Sequence, residues 1–367
     1  MSERLRTRLG SVPLDPEAES RAWELVRAAH AARPRARRRV PLRAALALGV
    51  VGTAATLAVL SPPGRAVVEA VRRSIGVEHA APALLRLPAP GRLLVSGPGG
   101  AWVVGADGTR RLLGSYRHAA WSPHALYVAA SGPDGLTALA PDGTLRWTLP
   151  RHGARLAAWG GTRADTRIAY LARGRLHVVG GDGSGDRELG ATAPVRPAWR
   201  PSDPGAFVLA SVSASGHVVV GRPGEPALWR SAALTAVPRL LAWSPDGGTL
   251  AVATAQQLLL FDGRTGASLG VALRGIRALA YAPDGRLAVA RGRSLQLVSH
   301  RGAATTLFSA PGRVAGLAWS PDGRWLLTAL PRADQWVFVG PHRVLAVSNV
   351  RRQFGGAPAL DGWAPGA

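Results

Sequence analysis

Arg117, Arg155, Arg239 and Arg277 each stand four residues before an aromatic side chain: Trp121, Trp159, Trp243 and Tyr281. Arg196 stands three before Trp199, and Arg313 six before Trp319. A guanidinium is a planar fork of N–H donors that stays charged at any ordinary pH and meets carboxylate or phosphate oxygens in pairs. Several of them converging on one concavity make an anion site. The bland reading stands beside this one. All 45 basic residues are arginine, lysine being absent, and the formal net charge is +23. Arginine is thus common everywhere in the chain, as G+C-rich codons would make it, and copying of a repeat spreads a residue without attaching a function to it. Both 1–79 and 80–367 carry more arginine than acid, so the folded part itself suits anionic partners.

Other chemistry is hard to find. No G-x-S-x-G elbow, P-loop or H-E-x-x-H occurs. The absence of cysteine excludes disulfides, thiolate metal sites and Cys nucleophiles. His118 and His124 flank Trp121 but have no partner at metal-ligand spacing. Asp182, Ser184 and Asp186 begin like a calcium loop, yet Ala193 stands where the late Glu ligand would fall. The segment therefore reads as a polar hairpin turn, with calcium as its rival. Asp107, Asp142, Asp246, Asp262, Asp284 and Asp322 each precede glycine, and turn formation accounts for them. The sequence assigns no catalytic residue, no cofactor and no metal.

The elements that would position the arginines come from a repeat. LLAWSPDGGTLAVAT (240–254), RALAYAPDGRLAVAR (277–291) and AGLAWSPDGRWLLTA (315–329) are its clearest copies. Weaker ones lie at 118–131, 156–172 and 196–211. The marker aromatics Trp121, Trp159, Trp199, Trp243, Tyr281 and Trp319 are spaced 38, 40, 44, 38 and 38 residues apart, the length of one four-stranded propeller blade. Each unit reads as a short strand ending at the aromatic, a Ser-Pro-Asp-Gly turn, and three further strands. Residues 91–113 align with 285–308, so the domain opens on the second strand of a blade. ALDGWAPG (359–366) supplies the missing first strand, with Trp363 lying 44 residues after Trp319. This predicts an all-β, seven-bladed β-propeller over 92–367, closed by a C-terminal strand within 355–367. A six-bladed ring with a loose tail is the rival. The equivalent arginines would then ring one mouth of the central channel.

The Trp-Ser-Pro-Asp-Gly unit resembles the WD-repeat-like repeat of bacterial TolB-type periplasmic propellers and of the propeller domains of prolyl-oligopeptidase relatives. It departs from true WD repeats in that Gly-His and Trp-Asp pairs are not regular. The resemblance implies a fold and an interaction surface rather than a reaction.

The first 91 residues are of another kind. Asp15 and Pro16 open a helix over 15–32, with Ala22, Leu25, Val26 and Ala29 on one face and Pro34 as its stop. Arg33, Arg35, Arg37, Arg38, Arg39 and Arg43 then precede an uncharged run, 44–60. Its length and the basic flank predict one transmembrane helix, with the tail 1–43 in the cytoplasm and the propeller outside. A cleaved leader, a twin-arginine signal at Arg38-Arg39 and a buried helix are the rivals. Residues 65–76 read as an amphipathic helix beside the membrane and 79–91 as a linker, both within the segment 61–91.

Three functions fit. The leading one is a membrane-anchored, non-catalytic interaction module that takes a protein, a peptide or an anionic cell-envelope polymer at the arginine mouth. The second is a transmembrane sensor, similar in layout to membrane-bound anti-sigma factors, whose residues 15–32 dock a cytoplasmic regulator. The third, an enzyme using channel residues, rests on the fold alone. Charge would suit nucleic acid, but the expected side of the membrane disfavours it.

Overall fold

A computed structural model describes residues 86–201 and 207–366 of the chain. The expected tail helix 15–32, the apolar run 44–60 and the helix 65–76 lie outside the described residues. Among the described residues no helix is long and apolar enough to cross a membrane.

Seven antiparallel sheets of four strands follow one another along the sequence, so seven blades, not six, are present. Six of them are continuous in sequence, beginning at His118, Arg155, Ala198, Leu240, Ile276 and Ala315, and are here blades 2 to 7. Blade 1 is composite: its innermost strand, Ala359–Ala364, pairs with Arg92–Gly97, which leads on to Gly100–Val104 and Arg110–Gly114. Trp363 lies opposite Leu93, as Trp319 lies opposite Leu326 and Trp243 opposite Leu250. The C-terminal residues therefore complete the ring, and both ends of the domain are tied into one ladder.

The burial pattern follows strand position. Third strands such as Gln335–Val339 are buried along their length. Outermost strands such as Leu145–Leu149 and Ala227–Arg230 are largely exposed. The core lies between blades: Leu295 and Phe308 of blade 6 pack with Trp319, Leu326 and Val337 of blade 7.

The turn chemistry read from the sequence is present in detail. In blade 7, Ser320 Oγ donates to Asp322 Oδ1 at 2.5 Å and accepts the Trp325 N–H at 2.9 Å. Asp322 Oδ1 accepts the Arg324 N–H at 3.1 Å, and Gly323 takes φ +67°, a region costly for other residues. Ser244, Asp246 and Gly247 repeat the arrangement in blade 5.

Three of the marker tryptophans join neighbouring blades through their indole N–H. The indole N–H groups of Trp199, Trp243 and Trp319 donate at 3.0–3.1 Å to the carbonyls of Ala158, Ala198 and Ala280. Each acceptor is the residue before the preceding blade's own aromatic.

Two features went unread in the sequence. Residues 86–91, taken as linker, begin on the core: Leu87 and Ala89 are buried with Trp325 and Trp363. A five-residue helix, Val350–Phe354, precedes the closing strand. Its Phe354 is fully buried, stacked on Trp336 at 5.0 Å and edge-on to Trp102 at 5.9 Å. This helix wedges blade 7 against blade 1 where the ring closes.

Candidate functional site

Every blade repeats one strand order with equivalent strands in equivalent places around the ring, so the seven innermost strands run the same way along the channel. Their first residues share one mouth and their aromatics the other. Arg155 opens its strand, while Arg117 and Arg239 stand one residue before theirs. Arg196 and Arg313 stand two before. Arg277 is the extra residue of a β-bulge between Ile276 and Ala278, a device that re-aims a side chain.

The arginines do not form an even ring. Arg117, Arg155 and Arg196 gather around half-buried His118. Burial first, and then the charges of Arg196, Arg155 and Arg117, push the His118 pKa below the usual histidine range, so the imidazole is neutral at pH 7. Arg196 is engaged: its Nη2 lies 3.3 Å from Asp361 Oδ1 and donates to the Ala119 carbonyl at 3.4 Å. It thereby links blade 4 to blades 1 and 2 across the channel. Asp361 is the bulged residue of the closing strand. Burial pushes its carboxyl above the usual carboxylate range, against the pull of the Arg196 charge. Arg239, Arg277 and Arg313 are exposed. With Arg117 and Arg155 they form no ion pair among the described residues. Beside Arg239 lies a depression of about 430 Å³ walled by Pro194, Val195, Ala236, Val237 and Pro238. The mouth thus combines uncompensated guanidiniums with an apolar ledge.

The sequence missed Asp361 as the partner of Arg196. Its Leu-Asp-Gly-Trp setting looks like a turn, and only closure of the ring brings the two together.

The hairpin at 181–186 is a turn, as its composition suggests. Asp182 Oδ1 accepts the Ser184 N–H and hydroxyl at 3.0 and 2.7 Å. Asp186 faces elsewhere, accepting the Tyr170 hydroxyl at 2.7 Å and pairing with Arg151. His177 stacks on Tyr170, with ring centroids 5.1 Å apart.

A second concavity, of about 400 Å³, opens on the opposite face between blades 2 and 3. Tyr127, Trp147 and Trp159 contribute to its wall, with Arg146 and Arg163 at its rim. The Trp147 N–H donates to the Gly181 carbonyl at 2.9 Å. Trp159 stacks on Tyr127 at 6.1 Å, but its buried N–H has no acceptor.

Against known proteins, the WD40 family (WD domain, G-beta repeat) matches over residues 303–339. That span is the outermost strand of blade 6 and the inner three strands of blade 7. The sequence unit is therefore offset from the structural blade by one strand, the same offset that leaves blade 1 to be closed by the C-terminus. No curated protein matches the chain. Among solved structures, a chain from a crystal structure of the mitotic checkpoint complex aligns with TM-score 0.56 at 19% identity, covering 72% of this chain and 94% of that one. A candidate 6-phosphogluconolactonase from Bacteroides uniformis aligns with TM-score 0.51 at 18% identity, covering 71% and 98%. At such identities the likeness is one of fold. The chain is a seven-bladed propeller carrying a WD40-type repeat.

Proposed function

We propose that this chain is a membrane-anchored propeller, held outside the cytoplasm, whose arginine mouth binds an anionic group of a cell-envelope polymer, a peptide or a protein. One observation carries the reading. Arg117, Arg155, Arg239, Arg277 and Arg313 stand at strand starts around one mouth and have no carboxylate partner among the described residues. Like charges brought together in a concavity raise each other's energy, and an anion relieves it. Propellers with WD40-type repeats serve widely as interaction surfaces, and the checkpoint-complex neighbour is itself part of a protein assembly. The anchor rests on the Arg33–Arg43 cluster directly before the uncharged run 44–60. Nothing in the mouth calls for a catalytic step.

The test is binding of poly-L-glutamate and of inorganic polyphosphate to the full chain in detergent, with Arg117, Arg155, Arg239 and Arg277 all replaced by alanine in the variant. All four are exposed, so the fold is expected to survive. The variant should bind at least about tenfold more weakly, and the wild-type affinity should fall as salt rises. Binding that ignores both changes would remove the mouth from the account.

A further inference from the structure

The junctions between blades 2 and 3 and between blades 4 and 5 are copies of one frame. In both, a tryptophan of the earlier blade's outermost strand, Trp147 or Trp229, donates its N–H to a glycine carbonyl of the later blade, Gly181 or Gly263. At 4/5 the space beside that tryptophan is filled by Phe261, and Trp229 is buried. The equivalent of Phe261 in blade 3 is Val179, since each lies opposite the residue that pairs with the blade's marker tryptophan. At 2/3 Val179 is itself buried in the core, Trp147 is partly exposed, and the concavity lies beside it.

What lines it is not a generic cleft. Trp147 is the partly exposed aromatic of the wall and offers a flat surface on which the C–H face of a sugar ring rests. Trp159 is buried and stacked on Tyr127, over whose ring Arg146 lies at 5.5 Å. Arg146 and Arg163 are exposed and form no ion pair among the described residues, whereas Arg167 at the same rim is paired with Asp165 at 2.6 Å. The Arg163 guanidinium is thus left for an anion, and Arg146 presents its edge from over the Tyr127 ring. Thr166, Asp182 and Ser184 add acceptors and donors suited to ring hydroxyls.

The geometry points to a second binding site here, on the face away from the arginine mouth, for an acidic saccharide: a pyranose ring carrying a carboxylate or a phosphate. Its anion meets Arg163 and Arg146, its ring lies on Trp147, and its hydroxyls face the 181–184 turn. The site is independent of the mouth, and either can fail alone.

Saturation-transfer NMR tests it on the full chain with Arg117, Arg155, Arg239 and Arg277 replaced by alanine, which removes the mouth from the reading, with a glucuronate-containing disaccharide as probe, maltose as the neutral control and adenosine monophosphate as a flat aromatic anion. The acidic disaccharide should bind, and maltose and the nucleotide should bind more weakly. Arg163→Ala, an exposed change that leaves the core alone, should weaken binding about tenfold. Arg264→Ala, an exposed change outside both sites, should leave it unchanged. Absence of binding, tighter binding of maltose or of the nucleotide, indifference to Arg163→Ala, or loss on Arg264→Ala would each overturn the proposal.

Discussion

The junctions 4/5 and 2/3 share one frame and differ in two contacts. At 4/5, Phe261 stacks on Trp229 with centroids 5.4 Å apart, and the Trp243 N–H reaches the Ala198 carbonyl at 3.0 Å. At 2/3, Val179 replaces the phenylalanine and the Trp159 N–H, though buried, reaches nothing. The frame survives in both because the outer tryptophan and its glycine acceptor are kept. What changes is the filling. In a repeat protein, one copy can therefore differ from another in packing and in a hydrogen bond while the frame between two sheets is kept. The closed copy serves as an internal control for the open one.

The largest effect that would break this comparison is at the filled junction. Phe261 is 2% exposed, and Phe261→Ala should cost about 3–5 kcal/mol in reversible denaturation, as for other buried phenylalanines. A cost under about 1 kcal/mol would mean that 4/5 is no better packed than 2/3. A smaller effect sharpens the contrast. Trp243→Phe leaves the Ala198 carbonyl without its donor and should lose about 1 kcal/mol beyond the packing change. Trp159→Phe deletes a donor that has no acceptor, so it should be the milder of the pair by about 1 kcal/mol or more. Equal costs would show that the indole bonds do not distinguish the junctions.

The carboxylates give a contrast of the same kind, read through pH. Hydrogen bonds donated within the turns hold Asp107, Asp142, Asp246 and Asp262 below the usual carboxylate range. Their contribution is present above that range and is lost as pH falls through their lowered values. Asp361 is raised by burial, and its sign is opposite. Between the ordinary value and its own, the folded state holds a proton that the unfolded chain has released. Its effect on stability is therefore most favourable at low pH and is lost as pH rises through the folded value. Denaturation of wild type and of Asp361→Asn across pH 3 to 8 should show the variant missing this falling component. Parallel curves would place Asp361 in solvent instead.

Much of the fold was legible because a blade is a local unit repeated at a fixed period. The aromatic, the Pro-Asp-Gly turn and the alternating apolar strands each carry their own signal, and the phase shift between 91–113 and 285–308 announces closure by the C-terminus. The helix Val350–Phe354 was not legible: five residues are too few for a 3.6-residue periodicity, and Phe354 resembles any strand residue until its partners Trp336 and Trp102 are known. Leu87 and Ala89 hid in an Ala/Pro-rich stretch that looks solvated. The arginine positions could be read from their offset to the aromatic. That Arg196 is committed to Asp361 could not, because the two lie 165 residues apart and meet only across the channel. The cavity at 2/3 was not legible, because its wall is assembled from turns of two blades, around 122–127 and 163–167, that meet only in the ring.

The most direct measurement of the central claim, that the arginine mouth is the anion-binding face, is hydrogen exchange along the full chain with and without inorganic polyphosphate. Added protection should concentrate at the starts of the innermost strands, around 117–119, 155–157, 239–241 and 276–278, and should vanish when the four mouth arginines are replaced by alanine. Protection at the turns 122–127 and 163–167 instead, or protection that persists in the variant, would contradict it.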